Sequence, residues 1–95
     1  MNNESCDNMS KEMKLINRDR FMELGITISA LRKMRGMTQE ELSEKAGLSR
    51  SHLGSIEAPN LAYPFSLEIL FNISDALEIE PGDLLNLRLA PSHRK

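Results

Sequence analysis

Between Thr38 and Glu57 the chain reads T-Q-E-E-L-S-E-K-A-G-L-S-R-S-H-L-G-S-I-E, and beside four carboxylates and a lysine it carries hydroxyls, an amide, a guanidinium and an imidazole. Gln39, Ser49, Arg50, Ser51, His52 and Ser55 donate and accept hydrogen bonds; they do not form matched acids and bases. Nor does catalysis find support elsewhere. No Cys–His, Ser–His–Asp, phosphate-cradling Gly loop or carboxylate-rich metal cluster stands at a workable spacing, so an enzyme is not expected. Cys6 is the only cysteine, which rules out an intramolecular disulfide and a Cys-rich zinc site. The other histidine, His93, lies in a distant tail, so neither a metal nor another cofactor is expected. Glu80 and Asp83 flank Pro81 and read as helix-start charges. The chemistry on offer is recognition of a polar partner.

Two short helices must present these groups. Thr38 to Glu41 fits the capping box T-x-x-E, so a helix starts at Thr38 or Gln39 and places Leu42 and Ala46 on one face. Gly47 stops it, Leu48 plugs the corner and Ser49 caps the next helix, which buries Leu53 and Ile56. Pro59 pushes its predecessor out of helical geometry, so that helix ends near Ala58. A short glycine turn of this kind holds two helices at a steep angle. In DNA-binding pairs of this geometry the first helix braces across the backbone and the second enters the major groove; the spacing alone equally fits packed helices with no ligand.

The flanking sequence supplies a support. From Asp19 to Arg35, Phe21, Leu24, Ile28, Leu31 and Met34 recur at steps of three and four, one face of a helix that Gly36 ends before Met37 returns to the core. Gly25 interrupts that pattern at some cost. Lys33 and Arg35 read either as a solvated helix end or as a phosphate-facing edge. After the loop A-P-N-L-A-Y-P-F, Ser66 caps a fourth helix turning Leu67, Leu70, Ile73 and Leu77 inward. Pro81 opens a short fifth helix with Leu84 and Leu85. No alternating strand pattern occurs, and the expected fold class is all-α. Residues 20–88 form the domain. Residues 1–19 form a polar tail, turning helical toward Leu15 and Ile16, or an arm reaching DNA through Lys11, Lys14 and Arg18; residues 89–95 form a basic tail.

The net charge of −2 argues at first against a nucleic-acid partner, but its distribution does not. Residues 20–60 carry six basic and five acidic side chains, whereas residues 61–90 carry Arg88 against five acids. The bases lie around the helix pair, and local field decides docking on phosphates. The longest apolar runs are too short to span a bilayer and no secretion signal pattern is present, so a cytoplasmic protein is expected, with no membrane partner.

The stretch L-G-I-T-I-S-A-L-R-K-M-R-G-M-T-Q-E-E-L-S-E-K-A-G-L-S-R-S-H-L-G-S-I-E, followed by S-L-E-I-L-F-N-I-S-D-A-L-E-I-E-P-G-D-L-L, resembles the XRE family of helix-turn-helix domains, the lambda repressor and Cro type. The resemblance covers about residues 20–85. It implies a compact five-helix domain binding double-stranded operator DNA, usually as a homodimer, and hence a transcription regulator, a repressor in the first instance. By the same resemblance Ser49, Arg50, Ser51 and Ser55 face bases, and Gln39 opens its helix as a phosphate contact. Thr38, His52 and Asn60 are further phosphate neighbours, and Arg32 and Glu57 form a structural ion pair. The planar fork of Arg50 suits the O6/N7 acceptor pair of guanine. Two departures stand out: Gly54 within the recognition helix, and a following loop without Lys or Arg. That uncharged loop, 58–65, with Tyr63 and Phe65, and the acidic C-terminal half motivate a second reading. In it the chain is a protein-binding module, such as the antitoxin of a toxin–antitoxin pair. A controller protein of a restriction–modification system is a variant of the first reading.

Overall fold

Ile28, Leu42, Leu53, Ile73, Leu77 and Leu84 are completely buried, and together they join the helices of the described residues into one core. The computed structural model describes residues 13–87. In order they form α1 (Leu15–Met34), α2 (Gln39–Ala46), α3 (Arg50–Glu57), α4 (Leu67–Ala76) and α5 (Pro81–Asn86), with no strand among them. The expected five-helix, all-α architecture is the observed one. No helix among the described residues is long and apolar enough to cross a membrane.

Helix α1 begins at Leu15, inside the segment read as tail. Its N-cap, Lys14, makes no side-chain capping bond and its first turn holds no acid, so the start carries none of the usual marks. Lys14 and Arg18 are exposed; Lys11, Cys6 and the basic tail 89–95 lie outside the described residues. Gly25, read from sequence as a cost to α1, has a packing role. A Cβ there would sit 2.1 Å from the Ile56 carbonyl oxygen, so the missing side chain is what lets the end of α3 lie directly on α1.

Three other side chains depart from the sequence reading. Met34 was expected on the buried face of α1 but is 70% exposed, because it is the helix's last residue and lies past the packing of α3. Leu67 was expected inward but is 64% exposed: α4 buries Leu70, Ile73 and Ser74, and Leu67 at its first turn sits at the rim. Arg35 is exposed but tied down, since its Nε donates to the carbonyl of Leu77 at the end of α4. That carbonyl is one of the acceptors a helix end leaves without an intrahelical donor. The chain leaves α4 through Glu78 at φ 59°, with Glu78 N–H donating to Asp75 O at 3.1 Å and Ile79 N–H to Ser74 O at 3.0 Å. This is the left-handed helix exit normally given to glycine.

An open groove of about 560 Å³ runs between α1, the start of α4 and α5. Phe21, Leu24, Leu67, Leu70, Leu85 and Leu87 give it apolar walls. Leu84 forms part of its floor but is itself fully buried, whereas Leu85 is 56% exposed.

Candidate nucleic-acid interface

The elbow between α2 and α3 is held by hydrogen bonds at each corner. Thr38 Oγ1 accepts from Glu41 N–H at 3.0 Å and the Glu41 carboxylate accepts from Thr38 N–H at 2.9 Å, a complete capping box. Gly47 takes φ 72°, and Leu48 N–H donates back to Ser43 O at 2.8 Å, so α2 closes and the chain reverses within a few residues. Ser49 Oγ then accepts from His52 N–H at 3.0 Å and starts α3. Leu53 and Ile56 root that helix in the core. Helical spacing therefore turns the other side outward: Arg50 and Ser51 are exposed, and Gly54 and Ser55 half-buried. An added Cβ at Gly54 would meet nothing within 4 Å. The four base-facing candidates, Ser49, Arg50, Ser51 and Ser55, thus share one outward ridge.

The base of the ridge is anchored by a buried network. Arg32 grips Glu57 with two hydrogen bonds, Nε to Oε2 at 2.9 Å and Nη2 to Oε1 at 3.0 Å. Its remaining Nη1 donates to Met37 O at 2.8 Å, tying the α1–α2 connection to the same point. Both side chains are at most one-tenth exposed. Such a pair contributes little against an apolar substitute, but removing one partner leaves a buried charge uncompensated. Gln39 joins as well, with Nε2 donating to Glu57 Oε1 at 3.0 Å. Sequence reasoning missed this bond; Gln39 and Glu57 lie on different helices and no spacing rule connects them.

Of the other phosphate candidates, Thr38 and Asn60 are exposed and His52 is half-buried. The His52 ring meets Tyr63 edge-on, centroids 5.5 Å apart at 75°, so the loop after α3 is braced against the ridge. Phe65 meets Phe21 at 5.6 Å in the same manner, and both loop rings pack on the core. They present no free aromatic pair. Arg50 is the one cation of α3, and the exposed Glu40 and Glu44 on α2 work against a phosphate backbone. The local charge therefore favours a partner held by directed hydrogen bonds over one held by net field.

A helix-turn-helix family profile matches residues 28–84. The immunity repressor protein of Bacillus phage phi105 is 46% identical over 59 residues, 62% of this chain and 40% of that protein. The restriction–modification controller protein C.AhdI from Aeromonas hydrophila superposes with a TM-score of 0.62 at 33% identity, covering 67% of this chain and 94% of the other. The biofilm master regulator SinR, solved in complex with DNA, gives a TM-score of 0.59 at 37% identity, covering 65% and 97%. The chain spans about half the length, or less, of the curated relatives it matches.

Proposed function

Because the chain belongs to the XRE-type helix-turn-helix family, we propose that it is a sequence-specific DNA-binding transcription regulator, a cytoplasmic repressor acting as a dimer on a partly palindromic operator. One observation carries the reading: Arg50 and Ser51 stand exposed on the first turn of a helix whose opposite face is fixed in the core. An outward guanidinium on a fixed helix suits guanine in a major groove. The repressor and the DNA-bound SinR among its relatives support the same conclusion. The second copy belongs at the apolar groove, where Leu67 and Leu85 are the exposed side chains; Leu84 is too deeply buried to take part directly. A protein partner at the 58–65 loop has less support, since Tyr63 and Phe65 are engaged within the chain.

Selection of binding sites from random DNA tests the proposal, run in parallel on the unaltered chain and on Arg50→Ala. Related half-sites about 34 Å, one helical turn, apart are expected. Arg50→Ala should relax preference at one base position by about 1–3 kcal/mol. No enrichment at moderate salt would refute sequence-specific binding. An equal loss on every operator variant would move Arg50 from base reading to phosphate contact.

A further inference from the structure

The bond between Gln39 and Glu57 has a meaning for docking that the ion pair alone does not. Gln39 is the first residue of α2, and its Nε2 lies 3.0 Å from Glu57 Oε1. An ionised carboxylate only accepts, so chemistry requires the NH2 end of the amide to face it. That nitrogen carries two hydrogens. Glu57 takes one, and no acceptor among the described residues takes the other. The same Glu57 oxygen also takes Arg32 Nη2, so the carboxylate is held from two sides before any ligand arrives.

Resting on the DNA-binding reading above, we propose that Glu57 is a positioning residue for docking, holding the Gln39 amide so that its second N–H is presented to a DNA phosphate. Arg32 completes the device. It offsets the carboxylate's negative charge, which would otherwise oppose a phosphate arriving at Gln39. A glutamine tethered in the folded protein has already lost its rotamer freedom, so ordering it is no longer a cost of binding. Glu57 is also the last residue of α3, whose first turn carries Arg50. Phosphate grip and base reading are thereby referred to one rigid helix, and a phosphate seated at Gln39 fixes where Arg50 meets the groove.

The test is a double-mutant cycle on affinity for the selected operator, with far-UV circular dichroism confirming that each variant is folded. Gln39→Ala is expected to weaken binding about tenfold, as for a hydrogen bond to a charged group. The loss should be equal across operator variants and leave the salt slope unchanged, since a neutral amide releases no counterion. Glu57→Gln should cost a similar factor with Gln39 present and less than about twofold in the Gln39→Ala background. An equal loss in both backgrounds overturns the inference, because Glu57 would then act only through the fold. Should Glu57→Gln fail to fold, the side-chain amide protons of Gln39 in the unaltered chain decide the matter by nuclear magnetic resonance. The proton bonded to Glu57 is expected downfield of an exposed glutamine's before operator is added, and the other is expected to move on addition of operator; a pair at exposed-glutamine positions in the free chain, or a second proton that stays put, overturns the inference. If the unaltered chain prefers no sequence, the DNA-binding reading itself has failed. If it binds its operator and Gln39→Ala binds equally well, only the positioning role has failed.

Discussion

Gly54 and Gly25 both interrupt helices, and the structure assigns them opposite values. At Gly54 the backbone is helical and the space around a Cβ is empty to 4 Å. Gly54→Ala therefore adds a methyl group that clashes with nothing and removes the excess backbone freedom of glycine in the unfolded chain. The expected gain is about 0.5–1 kcal/mol. In a domain of this size 1 kcal/mol moves the melting temperature by about 4–8 °C, so the variant should melt about 2–8 °C higher. Thermal unfolding followed by circular dichroism at 222 nm, on matched protein concentrations to hold any dimerisation constant, measures it. A melting temperature at or below that of the unaltered chain would refute the reasoning, showing that the site is not open or that glycine is required by the fold.

The same measurement applies to the other glycine: Gly25→Ala forces its Cβ against the Ile56 carbonyl and should lose about 1–3 kcal/mol or more, lowering the melting temperature. Arg32→Ala strands the Glu57 carboxylate in a buried site and should cost about 3–5 kcal/mol, read by urea denaturation; a loss below about 1 kcal/mol would mean the pair is effectively solvated. Glu78→Gly relieves a left-handed conformation at an exposed helix exit and should raise stability by about 1 kcal/mol; a denaturation midpoint that stays unchanged or falls would show that the freedom gained in the unfolded chain outweighs the relief.

Local chemistry made most of the elbow legible. Thr38 with Glu41, Gly47, Ser49 and Ser66 act through bonds to residues within four positions, so the sequence displays them directly. Pro59 and Pro81 act on backbone geometry in the same local way. What escaped the sequence depends on partners distant along the chain. Gly25 looks costly until the Ile56 carbonyl is seen lying against it. Arg35 looks like a loose cation until the Leu77 carbonyl is placed beside it, and Gln39 shows no link to Glu57 before the helices pack. Helix α1 begins at Leu15 with no side-chain cap, so the sequence hints at a helix toward Leu15 and Ile16 but has no mark that fixes its first residue. The exposure of Met34 and Leu67 follows the same rule: periodicity gives a helix its apolar side, but the neighbours decide how much of that side is covered.

The groove is lined by α1, α4, α5, the two residues leading into α4 and Leu87 just after α5; nothing from the elbow contributes to it. A molecule held by those residues alone touches none of Ser49, Arg50, Ser51 or Ser55. In the proposed dimer, assembly and reading would then be separable adjustments, like the hinge and the points of a pair of dividers. Altered side chains at Leu67 or Leu85 would, on that proposal, reset the span between two heads without changing the letters either one reads.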